Sequence, residues 1–308
     1  MPRVSIQQPV FILSSPRAGS TLVFETLAGS ASLFTIGGES HQIIEGLASL
    51  AVGPWGVSSN RLDTSHATPR IATAIRTRFA ENLKDRDGRP ANGPVRMLEK
   101  TPKNALRVPF INTIFPDALF IYLYRDPREN LGSMMEAWRS GGWVTYDSLP
   151  DWTGPWSMLL PPGYAAMQGR SLAEIVAFQW ISANGFILDD LSVLPRQRWV
   201  AISYQSFIQR PSEIVRQLCD FIGIEPDPGL LVTVEQGNLP LSSRTLTPPM
   251  SGKWHRDAGL IRGVLPEISL MYRRILESVL PQQQAEAAMF AYTQDNEVIF
   301  SAAQDQSK

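Results

Sequence analysis

The sequence predicts an α/β fold, a P-loop-like parallel β-sheet flanked by helices on both faces and built as a single domain. Three observations predict it. Short unbroken apolar runs, suited to strands buried on both faces, alternate with helical patterns. The first run leads straight into a small-residue loop and then a helix, the layout of an anion site in such folds. The length of 308 residues with 44% hydrophobic content is enough for one large core.

In chain order, Val10-Phe11-Ile12-Leu13 is the first buried strand. Gly37-Gly38-Glu39-Ser40-His41 precedes a helix expected over 42–50. Thr68-Pro69 opens another helix as cap and first-turn proline, and Ile71, Ile75 and Phe79 recur at a spacing of four along one face. Strands are expected at 95–98, 119–123 and 199–202. Between the last two, Ser171 and Glu174 form a capping box before Ile175, Phe178, Ile181 and Phe186. Further helices are expected at about 211–222 and 266–279. The single cysteine, Cys219, falls in an apolar-periodic stretch and reads as a small buried hydrophobe; no disulfide within the chain is possible.

Two stretches break the pattern. Residues 51–66 are rich in Gly, Ser and Asn, whereas 140–170 carry Gly141, Gly142, four prolines and three tryptophans without a period. Large aromatics argue against plain disorder, so 140–170 is read as a lid. The domain is expected over 1–280, followed by a tail at 281–308 with a final helix and a frayed end. No internal repeat is present.

Composition also narrows function. The 28 basic residues nearly cancel the 29 acidic ones, which disfavours a nucleic-acid or other polyanion partner and leaves phosphate recognition to locally placed groups. The first apolar run is too short for a signal peptide or a membrane span, so a cytoplasmic protein without a membrane partner is expected. The histidines, His41, His66 and His255, are far apart and no metal-ligand spacing occurs.

After the first strand comes Ser14-Ser15-Pro16-Arg17-Ala18-Gly19-Ser20-Thr21. A strand running into a small-residue loop and a helix start presents backbone N–H groups and a positive dipole end to an anion. The layout follows the nucleotide P-loop, but Ser14 replaces its first glycine and Ser20 its lysine, and the cation is Arg17, three positions earlier. Ser15 to Thr21 resembles the 5′-phosphosulfate loop of sulfotransferases that use 3′-phosphoadenosine 5′-phosphosulfate (PAPS). Tyr124-Arg125-Asp126-Pro127-Arg128-Glu129-Asn130-Leu131-Gly132-Ser133 follows a strand and resembles the family's 3′-phosphate motif. There Arg125 supplies a forked cation and Ser133 a hydroxyl to one phosphate. Ile202-Ser203-Tyr204-Gln205-Ser206-Phe207 is similar to the segment whose tyrosine contacts adenine. Ser251-Gly252-Lys253-Trp254 is similar, more loosely, to the segment that closes over the cofactor. The likeness spans about residues 9–280 and is nearer to the Golgi and bacterial branches.

What the resemblance implies is transfer of a sulfuryl group from PAPS to a hydroxyl, or an amine, of a small-molecule, carbohydrate or carrier-bound acceptor. Transfer needs a base for the acceptor proton and positive charge at the departing oxygen. Glu39 lies where Golgi-type members carry a catalytic glutamate, and His41 would point the same way in an extended segment, as orienter or as base. The bland alternative makes Glu39 a cap for the following helix. Leu98-Glu99-Lys100-Thr101-Pro102-Lys103-Asn104 is similar to a Glu-Lys-Thr-Pro segment whose lysine faces the active site, which selects Lys100 over Lys103. Arginine, lysine and amide dipoles then do the work of a metal, and none is expected. Two other readings compete: a small-molecule kinase using the same loop, and a nucleotide-binding module without catalysis. The first lacks the loop lysine. The second turns on whether Glu39 and Lys100 converge on the loop.

Overall fold

The computed structural model describes residues 4–235, 243 and 252–305. Its strands are β1 (Ser5–Ile6), β2 (Val10–Leu13), β3 (Leu33–Phe34), β4 (Pro94–Lys100), β5 (Leu119–Tyr124), β6 (Val144–Tyr146), β7 (Trp156–Ser157) and β8 (Trp199–Ser203). The helices are α1 (Ser20–Ala28), α2 (His41–Glu45), α3 (Pro69–Asn82), α4 (Val108–Ile114), α5 (Pro127–Ser140), α6 (Leu172–Ser192), α7 (Tyr204–Gln209), α8 (Pro211–Ile222), α9 (Pro228–Glu235), α10 (Ala258–Arg262), α11 (Leu265–Val279) and α12 (Gln282–Asp305). The central sheet runs β1-β4-β2-β5-β8, with β3 also on β4, and every pairing in it is parallel. This is the expected α/β architecture.

Strand alternation divides the interior into two cores. Phe11 and Leu13 of β2 and Phe120, Tyr122 and Tyr124 of β5 pack into one, together with residues of α3 to α6 and α11. Val10, Ile12, Leu119, Ile121 and Leu123 point the other way and meet α1, α8 and α9. Hence the strands read as unbroken apolar runs: both faces are covered.

Helix ends follow their local chemistry. Asp126 caps α5 by accepting from the amides of Arg128 and Glu129, Pro127 fills the first helical position, and Gly141 ends the helix in the left-handed region at φ 66°. Ser171 and Glu174 form the expected capping box of α6, and Thr68 caps α3. Cys219 is fully buried on α8, where burial pushes its thiol up.

Several element boundaries need correction. The helix over 42–50 is instead α2 with a separate 3-10 turn at Ala48–Leu50. Gly46 ends α2, and a Cβ there would fall 2.3 Å from the carbonyl oxygen of Gln42, so tight backbone closure splits the segment. The strand at 95–98 extends to Lys100, and that at 119–123 to Tyr124. The stretch 140–170 is ordered around the antiparallel pair β6–β7 and a 3-10 turn at Tyr164–Met167. Trp156, fully buried, meets Trp138, Trp152 and Tyr164 edge to face. Gln179 of α6 donates to the carbonyls of Ser157 and Leu159, and Asn60 pins Leu160 through backbone and side chain. The tail forms α12. Among the described residues no helix is long and apolar enough to cross a membrane.

Candidate active site

The C-terminal ends of β2, β4, β5 and β8 open on a cleft of about 1030 Å³. Such an edge is the usual ligand position in open α/β sheets. Pro16, Arg17, Gly19, Ser20 and Thr21 line it, whereas the loop residues Ser15 and Ala18 are buried. Two residues hold the loop's shape through the left-handed region: Arg17 at φ 64° and Gly19 at φ 105°. Gly19 is required twice over, because a Cβ there would lie 2.4 Å from the ring of Tyr204. No side chain caps α1, whose first residues, Ser20 and Thr21, line the cleft.

Asn130, fully buried on α5, fixes the loop. Its amide donates to Pro16 O at 2.7 Å and its carbonyl accepts from Ser15 Oγ at 2.7 Å. Ser14 Oγ donates to Ser20 Oγ at 3.0 Å. Arg17 Nε donates to Ser133 Oγ at 3.4 Å, and its guanidinium lies 4.5 Å from the Trp143 ring centroid. Arg125, just past β5, donates to Arg17 O at 3.2 Å and stacks on Tyr204 at 4.6 Å. Thus Arg17, Arg125, Ser133 and Tyr204, drawn from three parts of the chain, line one cleft. Lys253 lines it too, from a 3-10 turn at Lys253–Asp257 that begins after Gly252. Ser251 lies outside the described residues.

Strand parity explains the next pair. Lys100 closes β4 on the same face as Leu98, toward α1, and its Nζ donates to Thr21 Oγ1 at 3.1 Å and Glu39 Oε1 at 2.5 Å. Glu99 points the opposite way, fully buried, and accepts from Ser40, Thr101 and Asn104; burial raises its carboxyl above the usual range. Glu39 and His41 line the cleft, whereas Lys100 is only 3% exposed and sits behind Glu39. Lys103 does line the cleft. Glu39 and Lys100 therefore converge at the first turn of α1.

His41 opens α2 and is not extended, yet its Nε2 is 2.8 Å from Glu39 Oε2. The turn at Ser40 brings the two side chains together. No side chain caps α2, and the Glu39 carboxylate goes to Lys100 and His41. Burial alone would raise the Glu39 carboxyl, but the His41 hydrogen bond and the Lys100 charge overcome it and hold it down at about 2. Burial lowers His41, but its interactions with Glu39 and Glu45 together outweigh that, leaving it above its ordinary 6.5.

Sequence reasoning missed the next layer. Glu45 accepts from Lys103 at 2.7 Å and Arg107 at 2.6 Å, and stands 3.9 Å from His41 Nδ1. Tyr146 Oη accepts from Asn60 at 2.6 Å and Lys103 at 3.2 Å, tying the 140–170 segment to this cluster. Trp143, Thr145, Met158 and Leu159 extend the cleft wall, and Met158 holds a left-handed backbone at φ 65°. The only prior signal was aromatic content in 140–170; Glu45 and Arg107 carried none. Among the described residues no three His, Cys, Asp or Glu side chains gather as a metal site.

A parallel sheet whose strand ends carry an uncapped helix start and two clustered arginines defines an α/β fold suited to holding an anion. The sulfotransferase family model matches residues 9–228, and the chain belongs to that family. Among solved structures it is similar to the sulfotransferase domain from the curacin biosynthetic pathway, at 20% identity over 83% of this chain and 98% of that one, TM-score 0.45. It is also similar to a sulfotransferase from Alicyclobacillus acidocaldarius, at 13% identity over 84% and 93%, TM-score 0.47. A third is mouse sulfotransferase SULT7A1 complexed with PAP, at 12% identity over 95% and 91%, TM-score 0.49. No curated protein matches the chain.

Proposed function

We propose that the chain transfers a sulfuryl group from PAPS to a hydroxyl, or an amine, of a small-molecule, carbohydrate or carrier-bound acceptor by in-line displacement. One observation carries the reading: the uncapped start of α1, Arg125 with Ser133, and Glu39 backed by the buried Lys100 are gathered around one cleft. In this reading Ser15, Pro16, Arg17, Ala18, Gly19, Ser20 and Thr21 form the 5′-phosphosulfate loop. Arg125 and Ser133 read the 3′-phosphate, Tyr204 lies against adenine, and Lys253 with Ser251 closes over the nucleotide. PAPS supplies the activated sulfuryl group.

The chain's own residues do the rest. Arg17, Lys100 and the first amides of α1 bring positive charge to the departing oxygen. Glu39 takes the acceptor proton, and His41 holds its carboxylate through the 2.8 Å contact. At rest Lys100 is neutralised by Glu39 at 2.5 Å. Drawing Lys100 toward the departing oxygen loosens that pair, and Glu39 then becomes the stronger base. Trp143, Thr145 and Met158 stand on the same cleft as Glu39, which supports the 140–170 segment as the acceptor cover. The convergence of Glu39 and Lys100 favours catalysis over a binding module.

Calorimetry tests the nucleotide assignment. Adenosine 3′,5′-bisphosphate is expected to bind far more tightly than AMP or ATP, and Arg125→Ala to lose roughly 2–5 kcal/mol by stripping one partner from a desolvated charge pair. Equal affinity for AMP, or no loss in the variant, refutes it. Turnover should survive EDTA; a rate abolished by chelation and restored by Mg²⁺ returns the kinase reading.

A further inference from the structure

Arg128 lies three residues beyond Arg125, in the first turn of α5, and only 6% of it is exposed. A buried guanidinium needs several partners to offset its lost hydration. Asp126 supplies part of this, accepting from Arg128 Nη2 at 2.6 Å. The rest comes from far away in the chain. Asn296 Oδ1 of α12 accepts from Nη1 at 2.9 Å, Asp295 stands 3.6 Å from Nη2, and the Tyr292 ring centroid lies 4.5 Å from the guanidinium carbon. Asn296 is itself 8% exposed and Tyr292 4%, on a helix whose other face is open to solvent. On a second side the Trp254 ring lies 5.2 Å from the same guanidinium carbon.

Trp254 belongs to the turn that carries Lys253 into the cleft. That turn is seated on α5 at two further points. Gly252 N donates to Glu129 Oε1 at 2.6 Å, and Gly132 lies so close that a Cβ there would be 2.8 Å from Trp254 Cβ. One arginine thus joins the 125–133 segment, the Lys253 turn and the C-terminal helix.

We infer that α12 is a working part of the nucleotide site: Asn296 and Tyr292 hold Arg128, Arg128 holds Trp254, and Trp254 sets Lys253 over the bound nucleotide. Asn296 is a positioning residue in this scheme. The inference rests on the proposed PAPS reading of the cleft. It extends the site beyond residues 9–228, the part matched by the family model. Asn296 has the chemistry for the task, since its amide oxygen accepts directly from the buried guanidinium.

The test is a double-mutant cycle read by calorimetry with adenosine 3′,5′-bisphosphate on the full chain. Asn296→Leu should weaken binding about tenfold, the equivalent of one lost hydrogen bond to a charged group. In a Lys253→Ala background the same change should add almost nothing, because its effect passes through Lys253. Asn296→Asp, which keeps an acceptor for Arg128, should bind within about threefold of wild type. Additive losses, or wild-type affinity in a folded Asn296→Leu protein, overturn the inference. If Asn296→Leu fails to fold, Asn296→Ala enters the same cycle under the same two criteria. Arg125→Ala and Lys253→Ala keep the two levels apart. If neither weakens the nucleotide, the PAPS reading falls; if both do while the Asn296 change stays additive, only the role of α12 falls.

Discussion

Glu39 touches Lys100 on one carboxylate oxygen and His41 on the other, so its charge is fixed from two sides. Glu39→Gln should lower kcat by roughly 10²–10⁴ while nucleotide affinity stays near wild type, and His41→Ala should cost less. If the ranking reverses, the histidine is the base. The same pairing gives a pH signature. The folded carboxyl is depressed from 4.5 to about 2, so its contribution is fully present above pH 4.5 and is lost as pH falls toward 2. His41 has the opposite sign: its folded value is raised above 6.5, so its share is present below 6.5 and is lost as pH rises through the folded value. Urea midpoints of wild type and Glu39→Gln should therefore converge between pH 4.5 and 2. A constant gap across that window would mean that the carboxylate is not held by charge.

Helix α5 shows how an element can be right in sequence and still hide its main contact. Its cap, first-turn proline and terminal glycine, Asp126, Pro127 and Gly141, follow ordinary local rules. The reason for Gly132 does not, because it depends on a turn some 120 residues away. Gly132→Ala would ordinarily gain about 1 kcal/mol from helix propensity. Here the new Cβ meets the backbone of Trp254 at 3.0 Å, and the expected result is a loss of about 1–3 kcal/mol, read from the denaturation midpoint. The 140–170 segment is the reverse case. Its aromatics announced packing, but the β6–β7 pairing, the Asn60 clamp and the fully buried Trp156 are tertiary facts without a local period. Trp156 is a core residue, so Trp143, which lines the cleft, is the better probe of acceptor choice. Trp143→Ala should change acceptor preference, and bound nucleotide with acceptor should protect 140–170 from limited proteolysis. Cleavage indifferent to ligands, with preference unchanged, would leave a static flap.

Across the whole molecule, the alternation of apolar runs and helices was enough for the α/β class. It could not give the order β1-β4-β2-β5-β8, since parallel neighbours are chosen by long-range packing that no local pattern records. The site divided along the same line. Arg17, Lys100, Arg125 and Tyr204 could be picked out because their segments, each next to a strand end, resemble segments of the family. The short β3, and the Glu45 cluster behind the cleft, became visible only once the sheet had brought residues 33–60 beside residues 96–107. Because each central strand feeds two cores, a polar substitution at Phe11 or Ile121 would disturb one helical layer while leaving the other strand face intact.

The left-handed backbone at Arg17 sets durability against turnover. An arginine held at φ 64° costs roughly 1 kcal/mol that glycine would not incur. A library varied at position 17 and sorted for heat resistance should therefore enrich glycine and asparagine. The same library sorted for turnover should return arginine. Enrichment of arginine under both pressures would mean that its stacking on Trp143 outweighs the strain, and that the loop was never a compromise.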